Sequence, residues 1–162
     1  MQNDQSQIVE SDVPTQELGL ESLLNYRVQR LASKMTLMTT REVLKGSGVN
    51  IAEWRVIARL MQEGPQNMTA ISRMLGLDGG RASRLMKAVE TKGWVKREAD
   101  PEDGRVSIFH LTEKAVEVFS DLWPKAERSA QEFHTLYSPQ ELATLYDLLD
   151  RAIETANRKL VK

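Results

Sequence analysis

At 162 residues, with 41% hydrophobic and 28% charged side chains, the chain can build one respectable core, and its length favours a single soluble, globular domain. No run approaches the ~18 apolar residues of a membrane span, and the acidic, polar start is not a signal peptide, so a cytoplasmic protein is expected. A net charge of −1 gives no global bias toward polyanions, and the absence of cysteine excludes disulfide frameworks and thiolate zinc sites.

Residues 1–19 hold Asp4, Glu10, Asp12 and Glu17 with no Lys or Arg, and read as an acidic, flexible tail. Helical periodicity then starts near Leu20 and runs through Leu24, Val28, Leu31, Met35 and Met38 to about Leu44, where Gly46-Ser47-Gly48 ends it. This predicts one long helix. Asn50 caps a second, with Glu53 placed as in a capping box, Ile51, Trp54, Ile57, Ala58 and Met61 facing inward, and Gly64-Pro65 as the stop.

From Met68 the pattern changes to two short helices around a tight turn. Thr69 is the expected N-cap of the first, which carries Ala70, Ile71, Met74 and Leu75 and stops at Gly76. Leu77, Asp78, Gly79 and Gly80 read as the turn, and the second helix runs from about Gly80 to Lys92. Its Ala82, Leu85, Met86 and Val89 recur at three- and four-residue intervals, which leaves Arg81, Ser83, Arg84 and Lys87 on other faces. Between Thr69 and Arg97 stand seven Lys or Arg against Asp78 and Glu90, a local +5 in an otherwise acidic chain. Such a confined basic island suits a polyanion, because neutralised phosphates release condensed counterions. A helix with an apolar back and a basic front can enter a major groove while its predecessor crosses the backbone. The competing reading is an amphipathic helix pair with a solvated basic face.

Trp94, Val95 and Lys96 read as a strand, and Val106, Ile108 and Leu111, with Phe109 interleaved, as its antiparallel partner. Asp100 to Arg105, D-P-E-D-G-R, supplies Pro and Gly for the connecting turn. Arg105 at that tip is a candidate for a narrow minor groove, and Asp103 for a support that orients an arginine. Thr112 then caps a long helix carrying Ala115, Val116, Phe119, Leu122, Trp123, Ala126, Ala130 and Phe133, with a bend expected at Pro124. Ser138-Pro139-Gln140-Glu141 starts a last helix, whose stripe runs from Leu142 through Leu145, Leu149 and Ile153 to Ala156.

These residues, above all Arg97-Glu98-Ala99-Asp100-Pro101-Glu102-Asp103-Gly104-Arg105 followed by Leu111-Thr112, resemble the MarR family of winged-helix transcription regulators. The likeness extends in element order over about residues 20–160. Gly79-Gly80 stands where small hydroxyl residues are common, Trp94 replaces a smaller aliphatic, and Ala115 sits where Gly often follows the Leu-Thr pair. The resemblance implies a mainly α fold with a small β-hairpin wing: a winged helix-turn-helix over 49–112 and a helical dimerisation region over 20–48 and 113–162. It also implies a cytoplasmic homodimer that binds double-stranded DNA and acts as a repressor on a pseudo-palindromic operator. Arg81, Ser83, Arg84 and Lys87 would read bases, Thr69, Arg73 and Lys92 would meet phosphates, and Arg105 would enter the minor groove. Members of the family commonly bind small, often aromatic, anions in a crevice between the dimerisation helices and the DNA-binding lobe. Here that crevice would be lined by Tyr26, Met35, Met38, Trp54, Arg55, Phe119 and Trp123, and an aromatic carboxylate or an acyl thioester is the expected effector. Without cysteine, oxidant sensing through a reactive thiol is excluded.

Enzyme chemistry finds no constellation. His110 and His134 are the only histidines and form no metal-ligand pair, and no nucleophile elbow, P-loop or dinucleotide fingerprint is present. No metal and no cofactor are expected. A winged-helix protein-interaction module without specific DNA binding is the rival function, and salt dependence separates the two.

Overall fold

A computed structural model describes residues 19–160; the acidic tail expected over 1–19 falls, but for Gly19, outside the described residues. The chain forms two units, residues 1–35 and 36–162. The first unit holds a short 3-10 turn, Leu20–Ser22, and the greater part of helix α1, Leu24–Met38. Leu24, Val28, Leu31 and Met35 recur along α1 at helical spacing, and all four are exposed. Glu21 anchors its start, accepting from the Arg27 guanidinium through its carbonyl and pairing with Arg30 through its carboxylate.

In the second unit, α1 passes at Met38 into a π-helical turn, Thr39–Val43, where the sequence predicts a uniform helix. Val43, in this turn, and Leu44, just after it, are both buried in the core. Helices α2 (Ile51–Glu63), α3 (Met68–Leu75) and α4 (Gly79–Thr91) follow, then strands β2 (Val95–Ala99) and β3 (Ser107–Leu111), and helices α5 (Glu113–His134) and α6 (Pro139–Leu160). A strand of two residues, β1 (Gln66–Asn67), completes an antiparallel sheet of order β1-β3-β2. The fold is thus mainly helical with a small wing, as expected. The third strand is an addition: Gln66 pairs with Phe109 and Asn67 with Ile108.

The core joins Trp54, Val56, Ile57 and Leu60 of α2 to Ile71 of α3, Met86 and Val89 of α4, Trp94, Val95 and Phe109 of the wing, and Ala115 and Leu122 of α5. Met61, expected inside, is 42% exposed, because the inward face of α2 is completed by Val56 and Leu60 instead. Helix α5 continues through Pro124 without interruption. Glu141 and Ser138 cap α6 reciprocally, and two hydrogen bonds from Ser138, first from its amide and then from its hydroxyl, hold the Glu141 carboxyl below its usual range.

One hydroxyl ties the wing to α5. Thr112 Oγ1 donates to the Gly93 carbonyl at 2.7 Å, and accepts from the Ala115 amide at 3.3 Å as the N-cap of α5. Beside it, the Lys114 ammonium lies 4.2 Å from the centre of the Trp94 ring. Replacing Thr112 by Val keeps the shape and removes both hydrogen bonds, and should cost about 1–2 kcal/mol while Thr112→Ser costs less. Urea unfolding checks this: the midpoint falls for the Val variant with the slope unchanged.

Candidate nucleic-acid interface

Local chemistry fixes the helix pair. The cap of α3 is Asn67, whose side chain accepts from the Ala70 amide at 2.9 Å, and not Thr69, which lies exposed in the first turn. Asn67 wins because it also ends β1, so strand pairing already holds it in the extended conformation that an N-cap needs. Gly76 ends α3 at φ +63°, a left-handed conformation that favours glycine. Asp78 then caps α4, accepting from the Arg81 amide at 2.9 Å, so Gly79 and Gly80 are the first helical residues rather than part of the turn. A Cβ on Gly80 would stand 3.3 Å from the Asp78 carboxylate, so glycine suits the cap. The Arg81 amide, and after it the Arg81 charge, hold the exposed Asp78 carboxyl below its usual value.

Ala82, Met86 and Val89 are fully buried, Leu85 is half-buried, and Arg81, Ser83, Arg84 and Lys87 are all exposed. The eight expected DNA contacts differ in what already engages them. Arg81 pairs with Asp78 at 3.3 Å, both side chains well exposed. The Lys92 ammonium lies 2.7 Å from Glu53, a carboxylate only 2% exposed. Arg73, Arg84, Lys87 and Arg105 are exposed and have no acidic partner among the described residues.

The wing loop is held by its aspartates. Asp100 accepts from the Glu102 amide at 2.8 Å and Asp103 from the Arg105 amide at 3.0 Å, while the Asp103 carbonyl accepts from the Val106 amide. Asp103 therefore orients Arg105 through the backbone, and the guanidinium has no acidic partner among the described residues. Register puts Lys96 opposite His110 and Arg97 opposite Phe109. On the first of these faces Glu98 draws in Lys96 at 2.8 Å and His110 at 3.5 Å, and the Lys96 contact is the main reason its carboxyl sits below the usual range. On the other, Arg97 has no acidic partner among the described residues and shares with Thr69, Asn67 and Arg105 an open groove of about 350 Å³. Arg97 is absent from the sequence-derived candidates; only its strand register distinguishes it from Lys96.

A second concavity, about 760 Å³, lies among α2, the end of α3 and α5. Trp54, Arg55, Phe119 and Trp123 line it, together with Arg59, Met61, Gln62, Met74 and Leu75. Trp54 stacks on Phe119 at 5.6 Å and Phe119 on Trp123 at 5.2 Å, so the three rings form a continuous ladder. Arg55 donates to the Thr36 hydroxyl at 3.3 Å. Of the other expected lining residues, Met38 is half-buried and outside this lining, while Tyr26, half-buried, and Met35 belong to the first unit. Among the described residues no acidic or histidine cluster could hold a metal ion, and no helix is long and apolar enough to cross a membrane.

Comparison with known proteins agrees with this architecture. Residues 47–106 match the MarR family. Over 138 residues the chain is 34% identical to the uncharacterized HTH-type transcriptional regulator YkoM of Bacillus subtilis, covering 84% of this chain and 89% of that protein. The PcaV transcriptional regulator from Streptomyces coelicolor, in complex with its natural ligand, shares the fold with a TM-score of 0.74 at 23% identity, over 85% of this chain and 96% of that one. A mutant MarR from E. coli complexed with operator DNA shares it at 0.75 and 21%, over 84% and 98%. Helix pair, wing and sequence likeness together show that the chain belongs to the MarR family of winged-helix, DNA-binding transcription regulators, and is not an enzyme.

Proposed function

We propose that the protein is a cytoplasmic repressor that binds a pseudo-palindromic operator as a homodimer and is released by a small aromatic anion. The carrying observation is the division of α4: one face is fully buried, and the other presents Arg84 and Lys87 without acidic partners among the described residues. Arg84, Lys87, Arg81 and Ser83 read the major groove. Arg73 and Thr69 meet the backbone, and Arg105, with its backbone fixed by Asp103, enters the minor groove. Arg97 joins the backbone contacts through the groove it shares with Arg105. The fold shared with the MarR–operator complex supports this docking.

Dimerisation rests on uncovered apolar side chains. Helix α6 has no buried residue, and Leu145, Tyr146, Leu148 and Ile153 are exposed along it; α1 exposes its own stripe. A second copy is the natural cover for both. Two recognition helices then enter successive major grooves, with half-site centres about 10 bp apart. The effector reading rests on the ring ladder and the Arg55 and Arg59 guanidiniums in the 760 Å³ concavity, a setting for a flat aromatic carboxylate or its thioester. PcaV, which shares this fold, was crystallised with its natural ligand.

Gel shifts on the promoter beside the protein's own gene test the first part. Specific retardation that weakens steeply with salt is expected, and Arg84→Ala should lose ~1–3 kcal/mol and discriminate less between bases. Equal affinity for operator and random duplexes at physiological salt would instead favour a protein-interaction role. For the effector, a thermal-shift screen of phenolic and aromatic acids and their thioesters should return stabilising compounds that also displace operator. Compounds that stabilise without displacing it would deny the concavity a switching role, because a ligand shifts the equilibrium only by its differential affinity for two states.

A further inference from the structure

Lys92 stands at the end of the recognition helix, where a cation is well placed to meet a DNA phosphate, yet its ammonium is already committed. It lies 2.7 Å from Oε1 of Glu53, whose side chain is 2% exposed. The same carboxylate accepts from the Asn50 amide at 3.1 Å and from the Asn50 side-chain amide at 2.7 Å. A phosphate drawing Lys92 away would strand a buried charge whose other partners are neutral amides. The Lys92 side chain is 47% exposed, as expected where an aliphatic stem runs over the surface and only its tip is held.

The backbone of the same residue is gripped from the other side. Lys114 Nζ donates to the Lys92 carbonyl at 2.8 Å, and Thr112 Oγ1 to the Gly93 carbonyl at 2.7 Å. The carboxylate of α2 and two donors at the start of α5 thus meet at one point, the C-terminal end of α4. We propose that Lys92 and Glu53 are positioning residues for operator recognition: through Glu53, Lys92 fixes the direction of α4 and touches no DNA. The proposal rests on α4 being the recognition helix. That helix is about 20 Å long, so freedom at its C-terminal end swings its base-reading face out of register. A chain in which α4 is correctly aimed only part of the time binds operator more weakly by that fraction, while contacts to phosphates of any sequence change little.

The test uses the full-length protein and two fluorescent duplexes, one selected by the wild type from a random-sequence pool and one of scrambled sequence. Binding is read by anisotropy across a salt series, and melting temperatures are recorded alongside. Lys92→Met and Glu53→Gln should each reduce the preference for the selected duplex, on the order of tenfold, with the double variant no worse than the poorer single one. The salt slope on both duplexes should stay at the wild-type value. Two results overturn the proposal. If Lys92→Met weakens both duplexes alike and lowers the slope by about one, Lys92 is itself a phosphate contact. If the variants melt earlier but keep the wild-type preference, the network is a staple of the fold and nothing more. Should Glu53→Gln not fold, Lys92→Met, altered at a half-exposed position, decides alone. A wild type that prefers neither duplex is a different failure: it removes the DNA-recognition reading, and this proposal with it.

Discussion

The outward face of α4 depends on one packing constraint: α4 buries Ala82, Met86 and Val89 almost completely against α2, α3 and the wing. A helix of thirteen residues with one face sealed in a core cannot rotate without exposing that face or forcing charge inward. Arg84 and Lys87 are therefore held outward by hydrophobic contacts made on the opposite side. Charge alone would not do this, since exposed charges are screened and weakly directional. The apolar residues fix which face of α4 points outward, and the cations use it.

Acidic residues then decide which cations remain available. Each of three carboxylates sits beside a basic residue and engages it: Asp78 takes Arg81 while capping α4, Glu53 takes Lys92 while capping α2, and Glu98 takes Lys96 while drawing in His110. The pairs are unequal. Asp78 and Arg81 are so exposed that their attraction is worth little and can be exchanged for a phosphate. Glu53 is buried, so giving up Lys92 would leave its charge without a cationic partner. A basic island counted as +5 in sequence is, in three dimensions, a smaller set of unengaged guanidiniums and ammoniums.

Much of this was legible because strong local signals carry it. Asn50 with Glu53, Thr112, Ser138 with Glu141, and the turn at Gly76 are short-range devices whose chemistry is written within four residues, and each is found where the spacing places it. What escaped is set from a distance. β1 has two polar residues and no alternation; it is a strand because β3 has an edge to pair, and that pairing moved the α3 cap from Thr69 to Asn67. The π-helical turn before Leu44 interrupts an apolar pattern that continues past it, so periodicity alone does not show it. Arg97 and Lys96 are neighbours in sequence and differ only by facing opposite sides of the sheet. Lys92 finds its acid 39 positions upstream, a pairing that no periodicity encodes.

The same long-range geometry bears on how a ligand could be felt at the DNA face. The ring ladder Trp54, Phe119 and Trp123 spans α2 and α5, and the concavity beside it is closed by Met74 and Leu75 at the end of α3. Only Gly76, Leu77 and Asp78 separate that end from α4. A flat ligand seated against the rings would press on the last turn of α3, and the displacement has a short path to the start of α4. The far end of α4 is held by Glu53 and Thr112, through its own side chain and the glycine after it. The sequence separates the two ends of α4 by chemistry as well as by position: glycines and an exposed aspartate at the first, a buried ion pair at the second. The first end is the one joined through Gly76, Leu77 and Asp78 to the α3 residues that line the concavity.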